Sequence, residues 1–423
     1  MFAPKWKKEA KLLDKAAKKF LHYKRDLLET QQIEEINSRR DDLKATIKGS
    51  DKEKCTEASK QLQATCEGAL PRYQTQGWVE ENLEVFFVAI VVALGLRAYV
   101  VQPFRIPTGS MQPTLNGIVA TAIPNDEEFP SFAVRMAQKE SHGRTYVDLT
   151  TEENKTLRRE NPIEEAPVFH FFTRTYIHFS DGSKIVFPGP KSALLLGPRQ
   201  GSTGFSFAER SGYVSTKNLP SADLEKLKRS NLPFDGKNGK IAGFYTSPEI
   251  PSGTTIAHGY IDSGDLILVD KMSYHFRNPT RGEVFVFDNR DIQYIHNEAR
   301  ANGTIAGSHY IKRLAGVPGD ELQVRGSDLY INGKIAEEKG ILNVMSKENG
   351  YRGYDANKRL SGNKIFKAVK STRPGMNEYI ALGDNSYNSS DSRHWGTVKE
   401  FNVIGPAAFS LWPFASGHWG TIK

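Results

Sequence analysis

Cysteine is nearly absent from this chain: two occur in 423 residues, Cys55 and Cys66. Both precede a long apolar run, so no disulfide framework is expected. The ten histidines are scattered without HExxH, CxxC or any paired metal-ligand spacing, and nothing asks for zinc or another metal. Glycine-rich phosphate loops of the P-loop or dinucleotide type are missing as well, so no cofactor is expected. What is present is a chain long enough for two or three folding units. Its 38% hydrophobic and 25% charged residues allow a packed core, but they are unevenly spread.

The first residues, "KWKKEAKLLDKAAKKFLHYKR", are dense in lysine. That density allows contact with nucleic acid or anionic lipid headgroups, but a solvated helix face is the default reading. From 5 to about 68 prolines are few and good helix formers abound. Leu13, Phe20 and Leu27 fall seven apart, and Ile36 and Leu43 repeat the interval in another phase. The spacing predicts a helical hairpin or short coiled coil, broken near "KGSDKEK".

The run "NLEVFFVAIVVALGLRAYVV" (82–101) follows. About 20 mostly apolar residues match the hydrocarbon thickness of a bilayer. Without apolar periodicity the run reads as a transmembrane helix rather than a core helix, with Glu84 and Arg97 near its ends. It starts too far into the chain for a conventional cleavable signal peptide. Arg72 on one side and Arg105 on the other leave the local positive-inside count undecided. The lysine-rich start argues for a cytoplasmic N-terminus.

Beyond 101 the texture changes to short runs bounded by turn residues. "KIVFPGP", "DLILVDKMSY", "GEVFVFD", "ELQVRG", "DLYINGK" and "EYIALGD" all read as strands. Asn332-Gly333 between apolar strands predicts a type I′ hairpin. The stretch 117–257 is mixed, with strands in "PVFHFFTRTYIHFSDGSKIVF" and a helical patch in "SADLEKLKRS".

Three segments carry chemistry together: "IPTGSMQPTL" (106–115), "HYIKRLAGVPGDEL" (309–322) and "ALGDNSYNSSDSRHWG" (381–396). A serine hydroxyl is a poor nucleophile at neutral pH unless a base takes its proton. A lysine does so if an apolar site lowers its pKa from about 10.4 toward neutrality. In this setting the ordered set resembles the bacterial type I signal peptidases, membrane-anchored Ser-Lys proteases that remove signal peptides from exported proteins. "SMQPTL" resembles their serine box, "GDLILVDKMSYHFRNPTRGEVFVF" (264–287) their strand box, "YIKRLAGVPGD" their lysine box and "GDNSYNSSDSR" their last box.

The resemblance implies a mainly β catalytic domain of antiparallel sheets, with one transmembrane helix and an N-terminal α-helical region. It implies Ser110 as nucleophile, Lys312 as general base, an oxyanion hole of the Ser110 N–H and the Thr108 hydroxyl, and Ser389 as the hydroxyl that orients the lysine. Arg313, Asp384, Asp391 and Arg393 match charged positions that hold the site together. The expected partners are signal-peptide-bearing preproteins, membrane lipid and a possible partner of the N-terminal helices, but no nucleic acid. The expected organisation is a cytoplasmic helical region at 1–81, a transmembrane helix at 82–101 and an extracytoplasmic β-rich peptidase domain at 102–423, with an inserted segment at about 117–257. The location implied is the bacterial plasma membrane, single-pass, with the N-terminus cytoplasmic.

Three features depart from the family. Ser386 and Tyr387 stand where it usually has Arg and Asp, which predicts the loss of a local ion pair. The insertion is long, and so is the N-terminal helical region. A non-catalytic membrane scaffold of the same fold is the alternative. Other Ser-Lys enzymes fit less well: no helix-turn-helix supports a self-cleaving repressor, and the SxxK at 361–364 lacks the SDN and KTG partners of a penicillin-binding protein.

Overall fold

The computed structural model describes residues 4–49, 51–69, 78–168, 172–196, 204–237, 240–301, 309–356, 358–360 and 364–422; Ser361 of the SxxK match lies outside them. The chain divides at Val92 into two compact units.

The first unit contains three helices, α1 (Lys5–Lys24), α2 (Thr30–Gly49) and α3 (Lys52–Ala69). They close around Ala10, Ala17, Leu28, Ile36, Leu43, Cys55 and Leu62. A third helix replaces the expected hairpin, because the heptad phase fails after Lys24. There a 3₁₀ turn, Arg25–Leu27, runs into extended Leu28 and rotates the chain. Leu28 is therefore buried and Leu27 is left exposed. The second break falls where "KGSDKEK" placed it, and the Asp51 carboxylate accepts the N–H groups of Glu53 and Lys54 at the start of α3. Both cysteines are free thiols.

Helix α4 (Trp78–Tyr99) carries the long apolar run. Its 82–99 stretch is apolar enough to cross a membrane and none of it is buried. At 1.5 Å per residue, 18 residues give ~27 Å, close to a bilayer's hydrocarbon thickness.

The second unit is built on an eight-stranded antiparallel sheet: β1 (Val101–Arg105), β2 (Leu266–Asp270), β3 (Val284–Asp288), β4 (His309–Gly316), β5 (Glu378–Leu382), β6 (Val398–Lys399), β7 (Val403–Trp412) and β8 (Gly420–Thr421). The spatial order is β1-β2-β7-β3-β4-β5-β6, with β8 beside β7. Burial along β2 alternates, as expected when one face meets the core, whereas the first four residues of β3 are all buried. A side layer of four short strands pairs 321–325 with 328–331, and 331 with 334. Asn332 and Gly333 join these strands at φ 53° and 82°, as the Asn-Gly dipeptide predicts.

The stretch from Val119 to Asp262 packs as a layer with its own core. Strands Val119–Ala122, Thr255–Asp262 and Arg144–Thr150 pair side by side, and Ile163–Val168, Phe172–His178 and Lys184–Phe187 form a second sheet. Between them lie Val147, Ile177, Phe187, Leu194, Phe207 and Ile261. The strand that closes this layer runs to Asp262, five residues past the expected edge at 257. Its return at Leu266 enters the main sheet as β2 and so brings the chain back beside the serine segment.

Candidate active site

The serine segment is held from both ends. Val101–Arg105 zips onto β2 in register, with Arg105 opposite Leu266. Ile106 continues that contact by donating its N–H to the Asp265 carbonyl at 2.9 Å. A single 3₁₀ turn, Gly109–Met111, follows. Met111 and Leu115 are buried with Ile106, Ile267, Val269, Val284 and Val286. The apolar residues that flank Ser110 thus anchor the turn, and the hydroxyl between them is fixed in place.

Lys312 lies on β4 opposite Phe285 of β3. Its Nζ donates to Ser110 Oγ at 2.7 Å and to the Ile311 carbonyl at 3.0 Å. The two side chains come from residues 202 positions apart and are both buried, Ser110 at 7% and Lys312 at 4% exposure. Burial pushes the Lys312 amine down to about 8, against the pull of Asp391 and Asp384 and with some help from Arg393. Among the described residues no carboxylate is in contact with the lysine, because both nearby aspartates belong to arginines. Arg313 Nε and Nη2 bond Asp384 at 2.8 and 2.6 Å, and Arg393 grips Asp391 in the same bidentate way at 2.8 and 2.6 Å. These pairs are almost fully buried. With both acids held by arginines, burial outweighs their pull and the Lys312 amine loses its proton far more readily than an ordinary lysine, so that a neutral fraction is available as pH approaches 8.

Each expected position has a definite place. Thr108 stands two residues before Ser110 in extended backbone, with its side chain exposed. Ser389 is buried, and its hydroxyl has no hydrogen-bond partner among the described residues. It lies close behind Gly383, where a Cβ would fall 2.1 Å from Ser389 Oγ and 2.6 Å from the Ser110 carbonyl oxygen. Only glycine allows that approach. Ser386, where an ion pair was expected to be lost, is buried and accepts a bond from Arg393 Nη1 at 2.8 Å. A hydroxyl thus ties this position to the Arg393–Asp391 pair. Tyr387 is half exposed, with the Arg352 guanidinium 4.6 Å from its ring centroid.

Two positions emerge from the structure alone. Asn385 donates its backbone N–H to the Ser110 carbonyl at 3.1 Å and its Nδ2 to the Gly109 carbonyl at 3.0 Å, clamping the turn from outside. Thr114 joins Asp384 and the Tyr351 hydroxyl, so the serine segment is also bonded to the Arg313–Asp384 pair. Both lie inside segments the sequence marks, "SMQPTL" and "GDNSYN", but nothing local indicates that they meet across the fold.

The family "Signal peptidase, peptidase S26" matches residues 249–412. The chain is 32% identical over 149 residues to a probable signal peptidase I-2 of a Synechocystis species, covering 35% of this chain and 56% of that protein. It is 31% identical over 153 residues to signal peptidase I of Leptolyngbya laminosa, covering 36% and 63%. It is 31% identical over 155 residues to signal peptidase I of Bacillus caldolyticus, covering 36% of this chain and 73% of that one. The chain belongs to the S26 signal peptidase family. It spans 56% and 63% of the length of the first two of these relatives. Lys312, Arg313, Asp384, Ser389, Asp391 and Arg393 fall within the S26 match, whereas Thr108 and Ser110 precede it. The serine is tied to the S26 part of the chain by the 2.7 Å contact with Lys312, by the Asn385 N–H on its carbonyl and by the pairing of Val101–Arg105 with β2.

Proposed function

We propose that the chain is a membrane-anchored serine endopeptidase that removes N-terminal signal peptides from exported preproteins. The observation that carries this reading is the buried contact between Ser110 Oγ and the Lys312 amine, with no acid bonded to the lysine. Lys312 in its neutral form takes the hydroxyl proton as Ser110 attacks the scissile carbonyl. The protonated lysine then gives that proton to the leaving amine, and an ester links Ser110 to the signal peptide. The neutral lysine activates a water, which hydrolyses the ester and frees the serine. The Ser110 N–H and the exposed Thr108 hydroxyl are the donors for the oxyanion. The buried Ser389 hydroxyl, with bonding capacity to spare, orients the lysine as its protonation changes. Arg313, Asp384, Asp391 and Arg393 keep the walls of the site in place.

The apolar helix α4 anchors the chain in the bacterial plasma membrane in a single pass. Residues 1–81 are cytoplasmic and 102–423 extracytoplasmic, with 117–257 as an insertion in the peptidase domain. The short distance in sequence from Tyr99 to Ser110 supports this, since it keeps the nucleophile near the membrane surface where a signal peptide's cleavage site emerges. The test is cleavage of a secretory precursor with small residues at the first and third positions before the cut. Detergent-solubilised wild type is compared with folded Ser110→Ala and Lys312→Ala. Wild type cuts and both variants are inert; a wild type inert on several precursors makes the chain a non-catalytic scaffold of the same fold, and an active variant removes the Ser110–Lys312 pair from the reaction.

A further inference from the structure

The N-terminal helices distribute charge very unequally. Helix α1 has eight lysines against Glu9 and Asp14, a net of +6, whereas α2 has four basic and four acidic residues and α3 three of each, so both are neutral. Nearly all the positive excess of this bundle therefore lies on one helix, and five of its eight lysines lie on one side of it. Trp6, Ala10, Leu13, Ala17 and Phe20 turn toward α2 and α3. At 100° per residue Lys8, Lys11, Lys15, Lys18 and Lys19 project from the opposite face, and all five are exposed. Among them stand two large exposed side chains, Leu12 at 66% and Tyr23 at 67% exposure, the Tyr23 ring meeting the Lys19 ammonium at 5.6 Å and the His22 ring at 5.5 Å. A solvated face needs neither. A row of lysines around isolated apolar side chains is the pattern of a helix lying in a lipid headgroup layer, lysines on phosphates and apolar tips below them.

We infer that the outer face of α1 docks on anionic phospholipid headgroups of the membrane that α4 crosses. The inference rests on reading α4 as membrane-spanning, and chain length supports it. Eight residues separate Ala69 from Trp78, and eight extended residues reach at most ~28 Å, so the bundle cannot leave the neighbourhood of the surface. That confinement makes a weak, purely superficial attraction sufficient. Lipid is favoured over nucleic acid or an acidic protein because neither of those asks for Leu12 and Tyr23 on the basic face.

The test uses the full chain in nanodiscs with a polarity-sensitive dye on Leu12→Cys in a Cys66→Ser background, Cys55 being buried. The discs hold phosphatidylcholine alone or mixed with phosphatidylglycerol, each with a spin-labelled phosphatidylcholine as quencher. The same dye on Val91→Cys reports the membrane helix. The expected result is quenching and a blue shift at position 12 only in the anionic discs. Both are lost in 1 M salt, where the screening length is ~3 Å, and in a Lys11→Glu/Lys15→Glu/Lys18→Glu variant whose helical circular dichroism is unchanged. Quenching at 91 without lipid-dependent quenching at 12 overturns this inference and leaves the anchor intact. No quenching at 91 overturns the anchor itself. Equal quenching at 12 in neutral and anionic discs contradicts the charge argument.

Discussion

Replacing Lys312 with methionine removes the proposed base while keeping the volume and apolar stem, and its effect on stability is calculable. Burial holds the amine at about 8 rather than 10.5, so the charged form is penalised by ~3 kcal/mol relative to an ordinary lysine. The side chain also makes two hydrogen bonds, to Ser110 and to the Ile311 carbonyl, worth ~1 kcal/mol each. At about pH 7 the methionine variant is therefore more stable than wild type by ~1 kcal/mol. The dependence on pH separates the two contributions. A lysine whose folded pKa is depressed binds its proton more tightly in the unfolded chain, so its penalty is complete below about pH 8 and fades as pH rises toward 10.5. Wild type thus gains ~1 kcal/mol on the variant between about pH 8 and about pH 9. The assay is the urea transition of the full chain in detergent, followed by tryptophan fluorescence; Trp395 is buried against Phe287 in the same unit. A gap between variant and wild type that stays constant across that range refutes the argument that burial neutralises Lys312.

Three further substitutions probe the surroundings. Asp384→Asn leaves the Arg313 charge buried without its acid and is expected to cost ~3 kcal/mol or more of stability, measured by the same urea transition. Thr108→Val is expected to lower kcat by ~10²-fold with little change in KM, since an oxyanion donor acts in the transition state; a change confined to KM removes Thr108 from that role. Asn385→Ala removes the Nδ2 bond to the Gly109 carbonyl, while the backbone bond to the Ser110 carbonyl stays, and is expected to lower kcat by about tenfold while shifting urea stability by ~1 kcal/mol, a separation read from parallel kinetics and unfolding.

Much of this arrangement is legible in the chain because its signals are local. Alternation and β-branched runs mark strands 284–288, 321–325 and 378–382, and Asn332-Gly333 marks its hairpin. The serine and lysine segments are visible through the order of their motifs. The rest depends on contacts between distant parts. Asn385 meets Gly109 across 276 positions, and no spacing rule reports such a pair. Serine at 386 predicts the absence of a local ion pair, but not that its hydroxyl takes a bond from Arg393 once the loop folds back. The N-terminal region gains a third helix because one 3₁₀ turn exchanges Leu27 for Leu28 in the core; the heptad count shows the phase change between Leu27 and Ile36 but not the turn that makes it.

The central claim is that a buried neutral lysine acts as base for Ser110, and the pH dependence of kcat/KM for precursor cleavage tests it most directly. Because only the deprotonated amine accepts the serine proton, kcat/KM is expected to rise tenfold per pH unit below about 8 and to level off above it. A profile that is flat from mildly acid to alkaline pH, or one that falls through this range, contradicts it.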